Sequence, residues 1–195
     1  MACSVLKNRS TSSRVKPSAN GYDKILLERE EQAANKTADS LGILLNKIDF
    51  RVKTDSLGDF KDGFIPWISL ESPENDLIKL LDKDQIVLNE NKVTVIIDYP
   101  LTKEYRFTIV SDTGFTKARL VREISNHYHQ LYREEEATAI EKTTPAEKRT
   151  TLYNRNQTNG KYGIWGHDIA DLVLTEILIY KASNGDILLS LNIES

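Results

Sequence analysis

Cysteine is nearly absent from this chain, and its scarcity restricts the available chemistry. The 195 residues include one cysteine, Cys3, so no disulfide can form within the chain, which favours a reducing compartment. A nucleophile needs a formed pocket around it, which makes Cys3 a poor catalytic residue. Without a CxxC pair or a recognisable order of Ser, His and Asp, the sequence indicates neither a zinc site nor a hydrolytic triad.

Long apolar runs are also missing. The first 30 residues contain no apolar stretch typical of a secretory signal, and no later run is long enough to cross a bilayer. We therefore expect an intracellular, cytoplasmic protein with no membrane span.

Histidine occurs three times, which leaves few ligands for a metal ion. On a helix, His127 and His129 would lie about 200° apart and could not face one site. His167 stands beside Asp168, and these two are the candidate catalytic residues. In the simpler interpretation Asp168 caps a turn through residues 169–171 and His167 hydrogen-bonds the backbone. We expect no metal and no cofactor.

The net charge of −3 hides an uneven distribution. Four of the 26 basic residues lie in a stretch without acids, residues 1–22, so the remaining 22 face 29 acidic residues for a net charge of −7. The polar composition predicts disorder over residues 1–21. This basic arm is either a solvated tail or a contact for nucleic acid or an acidic partner. Its four cations are Lys7, Arg9, Arg14 and Lys16.

Apolar residues recur at helical spacing after the arm. Leu27, Ala34, Leu41 and Ile48 are seven residues apart, which predicts a helix over residues 22–48 with one apolar face. This helix either packs on its own domain or lies at the periphery, where it would meet a partner. The domain boundaries we expect are a disordered arm, 1–21, and a single domain, 22–195.

Two helices and a hairpin are predicted next. Ser72 and Pro73 favour a short helix through Leu81, and a longer one is expected over 117–137, capped by Thr116. Between them, alternation predicts an antiparallel hairpin over residues 93–110, with a short strand at 86–88 before it. The expected pairs are Tyr99 with Tyr105, Ile97 with Phe107 and Val95 with Ile109.

A second hairpin is indicated near the end of the sequence. Asn184-Gly185 joins two alternating stretches, residues 174–183 and 186–193, and this dipeptide favours a type I′ turn. The first of these stretches is apolar on both faces, which is typical of an interior strand. The fold class we expect is α+β, with an antiparallel sheet of four to five strands packed by helices on one face.

A long polar segment, residues 141–171, separates the two β regions. Thr144 to Glu147 forms a capping-box pattern, which predicts a short helix. Residues 142–162 carry five basic side chains and one acid, and long polar loops in compact domains are often functional. Two glycines around Trp165 indicate a tight bend or a close approach. The candidate ligand-binding residues are Arg149, Arg155, Asn156, Lys161, Tyr162 and Trp165.

Three functions fit these features. The first is a non-enzymatic interaction or structural subunit that docks on a larger protein assembly through the arm or the 22–48 helix. The second is a domain that binds a small anionic ligand or acts on it, with its site in residues 142–168. The third is a nucleic-acid-binding accessory protein that uses the arm and the polar segment.

Overall fold

The computed structural model describes residues 41–56, 58–149 and 155–195, together with Lys24 and Glu28. The chain divides into two units, residues 1–36 and 37–195. Lys24 and Glu28 are helical and form an ion pair. The basic arm and the rest of the helix predicted before residue 41 lie outside the described residues.

Six strands form the main sheet of the second unit. Their order is β1-β9-β10-β6-β7, and β4 pairs with β9 beyond the end of β1. Two further pairs, β2–β3 and β5–β8, form small ribbons. The ten strands of the described residues are β1 (Ile43–Asp49), β2 (Val52–Lys53), β3 (Phe64–Ile65), β4 (Ile68–Ser69), β5 (Ile86–Leu88), β6 (Lys92–Ile97), β7 (Tyr105–Val110), β8 (Phe115–Thr116), β9 (Val173–Lys181) and β10 (Ile187–Glu194).

The two predicted hairpins join in one sheet through a parallel contact. β10 pairs with β6 in parallel, and Leu189 lies opposite Val95. Every other pair in the sheet is antiparallel. The α+β class and the mostly antiparallel sheet are therefore confirmed. The expected four to five strands become six, because β1 and β4 were not recognised as strands.

Residues 43–49 correct the predicted helix over 22–48. They form β1, in which Ile48 lies opposite Ile177 and is buried, while Asp49 lies opposite Glu176. The prediction failed here because Leu41 and Ile48 fit a seven-residue spacing, whereas the run Ile43–Leu45 fits no single helical face. Pairing with β9 decides the conformation, and β9 becomes an interior strand as expected.

The β6–β7 hairpin has its predicted faces but a register shifted by two residues. Ile97 pairs with Tyr105, Val95 with Phe107 and Val93 with Ile109. Tyr99 does not join the ladder, because the connecting residues bind elsewhere. The amide of Thr102 donates to the Tyr162 carbonyl at 3.2 Å. The loop is therefore longer than the alternation alone predicts.

The long helix, α2 (Lys117–Thr138), is close to its prediction and covers one sheet face. The amide of Arg119 donates to Thr116 Oγ1 at 3.2 Å, which confirms the N-cap. The apolar side of α2 joins the sheet in one core. The other sheet face carries a smaller cluster of Ile96, Tyr180 and Leu188. The helix residues of the main core include Leu120, Val121, Ile124, Tyr128 and Leu131.

The shorter helices differ from their predictions. The first, α1 (Pro73–Leu77), ends four residues early, because Leu81 donates its amide to the Arg51 carbonyl and Leu80 bridges to Val52. The predicted helix at residue 144 is a single 3₁₀ turn, Ala146–Lys148, without a side-chain cap. Its capping box fails because the amide of Thr144 donates to the Asn156 side chain.

The β9–β10 hairpin is confirmed, but its turn is of another kind. Ala182 and Asp186 close a three-residue loop, and the amide of Gly185 donates to the Ala182 carbonyl at 2.9 Å. Gly185 has φ +89°, whereas Asn184 does not have the positive φ that a type I′ turn requires. The Asn184 side chain instead accepts from the amide of Asp186.

Gly185→Ala should therefore destabilise the domain by about 1–2 kcal/mol, the cost of a left-handed conformation for a residue with a Cβ. Apart from its two chain neighbours, no described residue has an atom within 4 Å of the added methyl group, so steric contact would not contribute. Gly58 is a matched control because it is equally open and lacks a positive φ. Urea denaturation of both variants measures the difference, and an equal effect at the two positions would contradict the assignment.

Candidate functional site

The polar segment divides into an exposed part and a buried part. Residues 141–148 are mostly exposed, but residues 155–167 are mostly buried. Backbone contacts hold the second part against the β6–β7 connection: Ile164 bridges to Leu101, and the amide of Trp165 donates to the Pro100 carbonyl. Residues 155–167 are therefore not an exposed polar loop, although their composition is polar.

Glu135 organises this buried part. Its side chain projects from the last turns of α2 and is fully buried. One carboxylate oxygen accepts from Thr158 Oγ1 at 2.6 Å and from the amide of Gly160 at 2.8 Å. The other accepts from the amides of Tyr162 and Gly163 at 2.7 and 3.1 Å. One carboxylate thus binds four donors of a six-residue loop.

These hydrogen bonds keep Glu135 ionised although it is buried. Burial raises the pKa of a carboxyl group, but the four donors outweigh it and leave the Glu135 pKa below its ordinary value. The carboxylate also explains Gly160, since a Cβ there would lie 2.8 Å from the carboxylate and 2.7 Å from the Glu135 carbonyl oxygen.

Glu134, the neighbouring residue, binds the outer side of the same loop. Its Oε2 accepts from Lys161 Nζ at 2.6 Å and from the Tyr162 hydroxyl at 2.5 Å, while Gln130 donates to Oε1. The hydrogen bond from Lys161, followed by those from Tyr162 and Gln130, lowers the pKa of Glu134 to about 2. Two candidate ligand-binding residues, Lys161 and Tyr162, are therefore engaged within the chain.

Arg149 and Arg155 converge on Asp168. Arg149 Nη1 lies 2.6 Å from Asp168 Oδ2, and Arg149 Nε donates to the Thr144 carbonyl. Arg155 Nη1 lies 3.9 Å from Asp168 Oδ1, and its guanidinium stacks over the Tyr132 ring at 5.0 Å. Both arginine side chains are more than nine-tenths buried. The structure thus brings these three candidates together as an internal ion cluster.

Asn156 and Trp165 also make internal contacts. The Asn156 side chain accepts from the amide of Thr144 and donates to the Lys142 carbonyl, so it closes the exposed part of the segment. Trp165 is buried and packs edge-on against Tyr99, with ring centroids 5.2 Å apart. The two residues thus bind within the chain: Asn156 joins two parts of the segment, and Trp165 packs it against Tyr99.

His167 lies beside the ion cluster but its ring faces another group. The ring is buried, stacks on Tyr99 at 5.6 Å, and its Nε2 lies 3.4 Å from Ser195 Oγ. Its carbonyl accepts from the Tyr132 hydroxyl. Asp168 is the N-cap residue of the 3₁₀ turn Ile169–Asp171, which is the position the simpler interpretation predicted for it, and its amide donates to Asp171 Oδ2. The described contacts of the His167 ring do not include Asp168.

A second polar cluster lies where α2 covers β7. His127 stacks on Phe107 with ring centroids 3.5 Å apart, and its Nδ1 lies 3.1 Å from the Tyr105 hydroxyl. Burial lowers the pKa of His127, so the neutral imidazole is favoured. His129 Nε2 instead lies 2.9 Å from the Glu71 carbonyl oxygen. The two histidines thus face different groups, as their helical spacing predicts.

Sequence reasoning missed the central role of Glu135. Three consecutive acids, Glu134–Glu136, are typical of a solvated helix end, yet Glu135 is fully buried and Glu136 is exposed. A signal was present: Glu135 is four residues after Leu131 and therefore lies on the buried side of α2. Three glycines in residues 160–166 were the complementary sign, because an amide-rich loop can bind one carboxylate.

The described residues contain no group of three or more His, Cys, Asp or Glu side chains arranged to hold a metal ion. No helix in this part of the chain has the length and apolarity needed to span a membrane. Chemically, the arrangement pairs the cations Arg149, Arg155 and Lys161 with the carboxylates Asp168 and Glu134 of the same chain. Its hydrogen bonds attach the segment to the end of α2 and to the β6–β7 connection.

Glu135→Ala should destabilise the domain by at least about 3 kcal/mol, because four donors, three of them backbone amides, would lose a charged acceptor in a buried site. Glu141→Ala is the control, since Glu141 is exposed and its carboxylate forms no ion pair within the described residues. Urea denaturation compares the two. A loss below about 1 kcal/mol for Glu135→Ala would contradict a central role.

The depressed pKa of Glu134 predicts a pH dependence. Its contribution to stability is fully present above the unfolded pKa of 4.5 and disappears as the pH falls towards the folded value of about 2. Between about pH 5 and pH 2, the free energy of unfolding should fall less steeply in Glu134→Gln than in the wild type. Urea midpoints across this range measure it, and Glu141→Gln should keep the wild-type slope.

Comparison with known proteins gives no independent indication of function. No protein-family model, no curated protein and no solved structure matches the chain. A function can therefore be inferred only from the contacts and the exposed surfaces of the described residues.

Proposed function

We propose that the chain is a non-enzymatic interaction subunit that joins a larger protein assembly through the edge of its sheet. The observation that carries this proposal is an apolar triplet on the edge strand β1. Ile43, Leu44 and Leu45 are 71, 53 and 52% exposed. Three adjacent apolar residues of this exposure on a strand edge favour pairing with another protein segment.

Strand β1 lies at the edge of the main sheet. β1 pairs with β9 on one side, and in the described part of the chain no strand pairs with its other side. The backbone amides and carbonyls of an edge strand can therefore receive an extended segment of a partner. Apolar side chains on that segment would cover the triplet, and the main-chain hydrogen bonds would continue the sheet.

The opposite edge of the sheet differs in a way that favours β1. Strand β7 presents Arg106 and Thr108 alternately with buried residues, and Arg106 pairs with Glu104 at 2.6 Å. Charged and polar side chains protect an edge against pairing. The exposed apolar residue of β7 is Val110, at 65%. Its neighbours Ile109 and Ser111 are buried, so β7 has no run of exposed apolar residues like that of β1.

The polar segment supports the same proposal because its contacts disfavour the alternative, a site for an anionic ligand. Arg149 and Lys161, which an anionic ligand would need, already bind Asp168 and Glu134. A ligand at these residues would have to break ion pairs with N–O distances of 2.6 Å. The interaction interpretation requires no such rearrangement.

Leu44→Lys should release the protein from its assembly without unfolding it. A lysine at a half-exposed edge position is tolerated by the free domain but would charge the contact. Val110→Lys, on the other edge, is the matched control. Size-exclusion chromatography of tagged variants from source-cell extract should show wild type and Val110→Lys in a complex larger than the chain, and Leu44→Lys at the size of the chain alone.

Thermal unfolding verifies that both variants are folded before they are compared. A Leu44→Lys variant that still elutes with the wild-type complex would contradict the proposed role of the β1 edge. So would a wild-type protein that elutes from the extract as a single chain.

A further inference from the structure

We infer that the segment paired with the β1 edge is β1 of a second copy, in an antiparallel pair centred on Leu44. This inference rests on the proposed function and names its partner. The pair would join two six-stranded sheets into one continuous sheet about a twofold axis. In such an interface the same surface serves both copies, so it must be complementary to itself.

The order of residues in β1 meets this requirement in one register. With Leu44 opposite its own copy, Ile43 lies opposite Leu45, so the apolar triplet covers itself completely. Gly42 then faces Asn46 and Leu41 faces Lys47, so no residue of the triplet lies opposite a charge. A register centred on Asn46 would instead place Leu45 opposite Lys47 and Ile43 opposite Asp49. That arrangement would desolvate charges against apolar side chains.

The charges around the triplet do not oppose the approach of a second copy. Lys47 binds both Asp49 at 3.1 Å and Glu176 at 2.8 Å, and Lys181 lies opposite Ile43 on β9. Two cations and two carboxylates are therefore balanced at this edge, although residues 23–195 as a whole are acidic. Two copies can approach here with little repulsion of like charges.

The bulge in β1 limits the contact to the first half of the strand. The β1–β9 register shifts between Leu44 and Asn46, so Leu45 has no partner on β9. Bulges and charged residues protect strand edges, and here the bulge at Leu45 and the charges from Lys47 onwards confine the pair to residues 42–46. Because the contact is short, it buries less area than a standard interface, and we expect a dimer that dissociates on dilution.

Analytical ultracentrifugation of the purified chain tests the inference. The wild type and Val110→Lys should reach the mass of two chains as the concentration rises. Leu44→Lys should raise the dissociation constant at least about tenfold, because the register places the two lysines directly opposite each other. A wild type that stays monomeric, or a Leu44→Lys variant that dimerises as well as the wild type, overturns the inference.

Disulfide trapping tests the register. In a Cys3→Ser background, Leu44→Cys should form a disulfide-linked dimer under mild oxidation, because directly opposed residues have Cα atoms about 4.5–5.5 Å apart. In the same background Ile43→Cys should cross-link more slowly, since its copy would lie two residues away along the pair. Equal rates for the two variants, or faster cross-linking of Ile43→Cys, would exclude this register.

The experiments distinguish binding through the β1 edge from pairing of β1 with its own copy. If the purified wild type is monomeric but the complex from cell extract still depends on Leu44, the edge binds a different protein. That outcome overturns the self-pairing and leaves the interaction role standing. If neither experiment depends on Leu44, both proposals are wrong.

Discussion

The Glu135 carboxylate is the interaction on which the arrangement of the second unit depends. It is fully buried and remains ionised because Thr158 and three backbone amides surround it. A buried charge is tolerated when its hydrogen-bonding capacity is filled, and each donor that it binds is itself spared an unsatisfied buried position. The carboxylate thereby attaches residues 158–163 to the end of α2. Those residues then bind the β6–β7 connection, so helix, loop and sheet are held together through one side chain.

This constraint explains why the polar segment turns inward. Once residues 158–163 are fixed against α2, Lys161 and Tyr162 lie beside Glu134, and the following residues, 164–167, pack under the β6–β7 connection. Arg155, just before the loop, is drawn below the surface, where Asp168 and the Tyr132 ring are its neighbours. Cations in the interior need such partners, because the cost of removing them from water is high. Arg149, Arg155 and Lys161 are therefore paired with carboxylates of the fold itself, Asp168 and Glu134.

The sequence predicted the elements with strong local signals and failed where distant contacts decide. The capped helix α2, the interior strand β9 and the hairpin at Gly185 carry their periodicity or turn residue in their own sequence. Strand β1 does not, because its conformation comes from pairing with β9, about 130 residues later in the chain. The β6–β7 register was missed for the same reason: residues 98–104 bind the 162–165 segment. In the candidate site, the residue types were recognised, but their internal carboxylate partners could not be paired from spacing alone.

An inward-facing polar segment changes where a partner would bind. Charged groups that are paired inside the fold contribute position and stability, but they present little to a partner. Exposed apolar side chains have the opposite property, since they add little to the stability of the isolated domain and gain free energy when a partner covers them. In the described residues, such side chains are adjacent to one another on β1, at an edge with available main-chain groups. The same tertiary pairing that makes residues 43–49 a strand also aligns Leu44 and its neighbours for continuation of the sheet, so the fold and the proposed contact have one origin.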